Sequence, residues 1–172
     1  MPLRSDARLR GALALCMTSI TRARRQELAM PDNRLNADGL SVNHRLQEDW
    51  ELTARSAREK LDAGELVLVD VRLEPEWNTA RVGAGRGTVL HIPLHELENR
   101  WEEIEEHPLV AKGAAVAALC HHGVRSLKAA AILREKGIAD VKSVAGGIEA
   151  WSIAVDPGVP RYERDGTTVR KV

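Results

Sequence analysis

From residue 50 onward the apolar positions form two kinds of run, and the two kinds alternate along the chain. In ELVLVDVR the apolar residues at 66–69 are consecutive, too few for a helix and without the alternation of a half-exposed strand. They predict a buried, parallel-type strand ending at Asp70. Residues 89–92, stopped by Pro93, the small-residue run 114–119 and residues 141–144 are read as further strands. Between them lie helical spacings. Thr53 or Ser56 can cap a helix whose Ser56-Ala57-Arg58-Glu59 has capping-box spacing, closed by Asp62-Ala63-Gly64 after barely two turns. Glu74-Pro75-Glu76-Trp77 starts a short turn or helix, and residues 80–87 read as a flexible, glycine-broken loop. Leu97, Trp101 and Ile104 share one face of a helix over 96–106, and residues 126–136 form a helix with Leu127, Ala130, Ala131 and Leu133 inward. Gly146-Gly147 then makes a tight turn into a last helix that begins at 148–151. This order predicts an α/β fold with a central, mostly parallel sheet and helices on both faces.

The chain's 172 residues suffice for one good core but are short for two full domains. A polar, turn-rich stretch precedes Trp50, so the reading is a basic leader and flexible arm over 1–49, a domain over 50–162, and a tail over 163–172 that packs across the surface and then frays. Lysine plus arginine equal aspartate plus glutamate at 25 each, which points away from nucleic-acid or membrane partners. The six glutamates of residues 96–106 are read as a solvated helix face. The leader holds six arginines around the apolar run GALALCMTSI, too short to span a bilayer. It is read as a disordered leader or as sequence upstream of a start at Met30, with an organellar transit peptide the lesser alternative. With two cysteines, Cys16 and Cys120, no disulfide framework is available, and a cytoplasmic, reducing compartment is expected. Cys120-His121-His122 lacks the spacing of a structural zinc site, so no metal is expected.

Cys120 falls where a predicted strand gives way to a helix, and ligands of such folds bind beyond the carboxyl ends of the strands. Free N–H groups at the helix start, with the Arg125 guanidinium, would stabilise a thiolate there and receive an anion. Gly123 allows the curled backbone this cradle needs. A lone cysteine at a strand end is often only a small buried hydrophobe. The adjacent His121, His122, Gly123 and Arg125 favour the reactive reading instead.

These pieces resemble the single-domain rhodanese, or thiosulfate sulfurtransferase, family. The likeness is carried by LVLVDVR at 66–72, HIPL at 91–94, CHHGVRS at 120–126 and VAGGIEAW at 144–151, with a further echo from Asp156-Pro157 to Tyr162. The resemblance implies a rhodanese-like α/β fold and a Cys120 nucleophile that takes sulfur from a donor such as thiosulfate, holds it as a persulfide and passes it to a thiol or cyanide. It implies no cofactor beyond that covalent intermediate, and as partners a cysteine desulfurase or a sulfur-acceptor protein. Arg125 would hold the anionic end of the donor. His121, His122, Gly123, Val124 and Ser126 would form the substrate-binding loop, while Asp70 and Arg72, the Asp-x-Arg after the first strand, would brace the site or simply pin the strand end.

One stretch departs from the family. Members commonly carry an aromatic residue and then Gly-His-Ile-Pro-Gly-Ala before the next strand, where this chain reads EWNTARVGAGRGTVLHIPL. Trp77 is expected to keep the aromatic core contact, and the longer loop to reshape the pocket rim. Two other functions fit part of the pattern: a persulfide carrier or sensor docked on a protein partner, and a phosphatase or arsenate reductase of related fold. The second is disfavoured because Cys120 to Arg125 is C-x4-R, whereas the phosphatase signature is C-x5-R. Cys16 as a resolving thiol for Cys120 is a further idea resting only on the cysteine count.

Overall fold

The strand Leu66–Asp70 is buried at every position, which requires cover on both faces. It receives that cover in a five-stranded, wholly parallel sheet. The computed structural model describes residues 34–172, and the leader with Cys16 and Met30 lies outside the described residues. The strands are β1 Glu51–Leu52, β2 Leu66–Asp70, β3 Thr88–His91, β4 Ala115–Leu119 and β5 Val141–Val144, in the spatial order β1-β5-β4-β2-β3. Alternate side chains feed two cores. Leu66, Leu68, Ala117 and Leu119 point to one with Ala57, Leu61, Ile148 and Trp151. Val69, Val116, Ala118 and Cys120 point to the other with Leu97, Ile104, Ala129, Ala130 and Leu133. Each fully buried Leu, Ile or Val contributes roughly 1.5–3 kcal/mol, so this two-sided burial is the main force setting the register.

The helices cover the faces as expected, with shifted boundaries. Helix α1, Ala54–Ala63, is longer than the two turns read from the sequence, because Thr53 is the cap and accepts from the Ser56 N–H. Helix α2 is Glu74–Thr79. Residues 96–106 do not form one helix. They give α3, Leu97–Arg100, and α4, Glu102–Glu105, joined at Trp101 by i to i+3 bonds at Asn99 and Ile104. Like charges four apart, Glu98–Glu102 and Glu102–Glu106, oppose a continuous helix, and Arg100 bridges Glu96 and Glu103 across the break. Leu97 and Ile104 are buried, whereas Trp101 is only half-buried. A short α5, Pro108–Ala111, leads into β4.

Helix α6 spans Val124–Glu135, two residues earlier than expected. Its inward face is consequently Ser126, Ala129, Ala130 and Leu133, and Leu127 and Ala131 are only half-buried. The loop over 80–87 is not free. The Arg86 and Gly87 N–H groups both donate to the Leu61 carbonyl at the end of α1. Trp77 does not keep a core contact but stacks half-buried on His91, ring centroids 4.7 Å apart.

Helix α7, Gly147–Ala154, completes the cover. Residues 34–47 also pack more firmly than a flexible arm. Leu40 is buried against Ala145 and Ala150, and the Asn36 side chain accepts from the Asp38 and Leu40 N–H groups. After Tyr162 the chain does not fray. It forms an antiparallel hairpin of β6, Tyr162–Asp165, and β7, Thr168–Lys171, separate from the main sheet. Among the described residues no helix is long and apolar enough to cross a membrane.

Candidate active site

Cys120 follows β4 at the carboxyl edge of the sheet, and its side chain closes the second core at 1 % exposure. The backbone then turns back on itself. Gly123 adopts φ 100° as the cap of α6, a conformation that only glycine enters cheaply. This turn aims the Gly123 N–H at Cys120 Sγ, 3.1 Å away. The Ser126 hydroxyl lies 3.3 Å from the same sulfur and is itself bonded to the Gly123 carbonyl and the Ser143 hydroxyl. A sulfur anion here therefore meets a fixed backbone dipole and a hydroxyl already held in place.

The loop is clamped from below by α7. The Ile148 and Glu149 N–H groups donate to the carbonyls of Cys120 and His121. Gly147 makes this approach possible, since a Cβ there would stand 2.4 Å from both carbonyl oxygens.

His121 is buried, stacked between His122 (centroids 3.7 Å) and Tyr162 (4.1 Å). Its Nε2 is buried without a hydrogen-bond partner among the described residues. Burial, with the neighbouring His122, pushes the imidazole down to about 4. It is thus neutral at pH 7. His122 is exposed, as is Val124 on the first turn of α6, while Gly123 and Ser126 are buried.

Arg125 stands at the start of α6, as the sequence suggested, but not with the partner expected of it. Its guanidinium does not stand open for an anion but forms a two-pronged pair with Glu76, at 2.7 and 2.6 Å. That pairing, more than burial opposes it, raises the Arg125 pKa, and the charge of Cys120 adds to the effect.

Glu76 is the hub that sequence reasoning missed. It is fully buried, and besides Arg125 it accepts from the Tyr162 hydroxyl at 3.0 Å and the Leu73 N–H at 3.1 Å. Burial works against its ionisation, but the Arg125, Leu73 and Tyr162 hydrogen bonds outweigh it and hold the carboxyl down at about 2. Asp70 and Arg72 form a buried ion pair at the strand end. The buried Arg72 guanidinium donates to both Asp70 oxygens and to the carbonyls of Glu76 and Ala80, pinning α2 to the end of β2. Tyr162 also accepts from Arg72 at 3.2 Å, so one phenol ties the hairpin to both buried arginine–carboxylate pairs. Two signals for these residues stood in the text: Glu76 lies three residues after Leu73, half of a capping box, and Tyr162 is the sole tyrosine of the chain. Among the described residues no group of three or more His, Cys, Asp or Glu side chains is placed to hold a metal ion.

These shifts set an acid limit on stability. His121 binds a proton near 6.5 when unfolded and near 4 when folded, so between those values the unfolded chain takes up a proton that the native state does not. Stability is full above about 6.5 and falls as the pH drops toward 4. Glu76 extends the loss from its ordinary 4.5 down to about 2. Urea midpoints measured against pH should show both limbs, and His121→Phe, which keeps the stacking, should flatten the upper one. An unaltered upper limb in that variant would assign it to another group.

A parallel α/β sheet with a cysteine cradled at its carboxyl edge defines a class of protein, and comparison with known families names it. The rhodanese-like domain model matches residues 53–154, and the chain belongs to that family. Among curated proteins it is similar to the adenylyltransferase and sulfurtransferase MOCS3-2 of Zea mays, 35 % identical over 119 residues, covering 68 % of this chain and 24 % of that protein. The adenylyltransferase and sulfurtransferase MOCS3 of Arabidopsis thaliana is 33 % identical over 107 residues, covering 56 % of this chain and 22 % of that one. The chain thus spans about a quarter of the length of these relatives. Among solved structures, reduced CoADR-RHD of Bacillus anthracis superposes with a TM-score of 0.52 at 26 % identity, covering 64 % of this chain and 18 % of that one.

Proposed function

We propose that the protein is a sulfurtransferase that carries sulfane sulfur on Cys120. The observation that carries this reading is the Gly123 N–H donating to the sulfur at 3.1 Å, with the Ser126 hydroxyl 3.3 Å away, in a loop clamped against the carboxyl edge of the sheet. Membership of the rhodanese-like family and the sulfurtransferase names of its relatives support it.

The Cys120 thiolate attacks the outer sulfur of thiosulfate. The S–S bond breaks with its electron pair on the departing sulfite, and a persulfide anion remains on Cys120. Cyanide or a thiolate then bonds to that outer sulfur, and the electron pair of the broken bond returns to Cys120. The Gly123 N–H stabilises the anionic sulfur at each stage. His121, neutral at pH 7, adds no charge next to it. No cofactor and no metal enter this cycle.

The burial of Cys120 favours one refinement. At 1 % exposure the thiol is reached only when the surrounding loop yields, which suits a carrier loaded by a docked protein, such as a cysteine desulfurase, and emptied by a sulfur-acceptor protein. Intact-protein mass spectrometry separates the readings. Incubation with thiosulfate should add one sulfur atom that cyanide removes. Addition only with cysteine and a cysteine desulfurase would favour the carrier, and no addition under either condition would overturn the proposal.

A further inference from the structure

The pairing of Arg125 with Glu76 leaves the anionic end of a sulfur donor without the cation the sequence assigned to it. The hairpin supplies another. Arg164 in β6 points its Nη1 toward Glu76 Oε2 at 3.6 Å, close enough for attraction but too long for a hydrogen bond. Both Glu76 oxygens are already occupied, one by Arg125 and Tyr162 and the other by Arg125 and Leu73. Among the described residues the Arg164 guanidinium therefore meets no hydrogen-bond acceptor, and its side chain remains 35 % exposed.

Its position is also distinctive. Three cavities touch the active loop, one of them over His122, Gly123 and Val124 on the side of Leu40, and the other two meet near the hairpin. Of these two, the larger, of about 690 Å³, opens beside His122 and Tyr162, and the smaller, of about 450 Å³, beside Arg125 and Lys128 over Leu73, Leu94 and Ile132. Among the described residues Arg164 alone lines both. Two guanidiniums sharing one buried carboxylate leave a net positive charge at this junction, and Lys128, without an ion-pair partner among the described residues, adds to it. Glu98 in the smaller cavity and Asp165 in the larger limit that field, so the junction suits a compact anionic head and not an extended polyanion.

Resting on the sulfur-transfer reading above, we propose that Arg164 is the specificity-determining residue that anchors the sulfonate or carboxylate head of a small sulfur donor beside the Cys120 loop. Glu76 holds the guanidinium in place by attraction while leaving its donors free, the state a planar, two-pronged anion needs. Arg125 acts as a positioning residue for Glu76 and hence for Arg164.

The test compares a charged and a neutral donor. With thiosulfate, Arg164→Ala should raise KM about tenfold or more, the loss expected for a charge-assisted hydrogen bond, with kcat little changed. Arg164→Lys should recover part of that loss. With dimethyl trisulfide, a neutral sulfane-sulfur donor, both variants should match the parent. An unchanged thiosulfate KM in Arg164→Ala, or an equal loss with both donors, overturns the anchor. Should the parent take sulfur from neither donor nor from a cysteine desulfurase with cysteine, the sulfur-transfer reading fails, and calorimetric titration of thiosulfate into Cys120→Ser decides the anchor separately. Binding that disappears in Cys120→Ser/Arg164→Ala sustains it, and binding that is equal in both, or absent from both, removes it.

Discussion

Cys120→Ser is expected to yield a folded protein that never gains sulfur and whose transfer activity falls to background. The serine oxygen is smaller than sulfur but can still accept from the Gly123 N–H and meet the Ser126 hydroxyl, so the loop keeps its curl. The stability change should stay near 1 kcal/mol, within the ordinary range for a mild core substitution. The chemistry has no such substitute. A hydroxyl at neutral pH is neither ionised nor able to form a persulfide, and no second thiol is present among the described residues. Circular dichroism and urea unfolding check the first half, and sulfite release from thiosulfate the second. Substantial turnover by the serine variant would place the nucleophile elsewhere.

Glu76→Ala should have the largest effect on stability. It removes a fully buried carboxylate and strands its partners: Arg125 loses both short bonds, the Tyr162 hydroxyl loses its acceptor, and the Leu73 N–H opens the first turn of α2. Breaking one side of a buried pair typically costs about 3–5 kcal/mol, because the remaining charge stays partly desolvated. For a unit of this size that corresponds to a fall in Tm on the order of 10 °C. Glu76→Gln keeps the volume and two acceptor sites but not the charge, so it should be milder and should erase the stability limb below pH 4.5. A Glu76→Ala variant within 1 kcal/mol of the parent would mean that water replaces the carboxylate without penalty.

The sequence was most legible where burial dictates pattern. Residues 66–69 and 114–119 could be read as strands because a sheet covered on both faces demands uninterrupted apolar runs, and Cys120 could be placed at a strand end by the same logic. The loop motif could be read because only glycine serves at position 123. Legibility failed where a side chain could choose between partners. Arg125 was read at the entry of a helix starting at Ser126 and lies in the first turn of α6, but periodicity carries no information about Glu76, 49 residues earlier, which captures it. Tyr162 and Arg164 were read as the edge of a tail because β6 and β7 pair only with each other and show little apolar alternation. The split of residues 96–106 followed from charge crowding, which an apolar stripe alone does not reveal.

The bonds of Tyr162 reach 86 residues back to Glu76 and 90 back to Arg72. These are among the most distant contacts in the sequence, and they close the ring of charges around the loop. β5 precedes Tyr162 in the chain, so at about 5–20 residues per second the five strands are synthesised before Tyr162. During that interval Glu76 and Arg72 lack one of their neutralising neighbours, and His121 is stacked on one side only. The strands of the sheet are thus made before the phenol that ties the surroundings of the Cys120 loop together, and the hairpin acts as their latch.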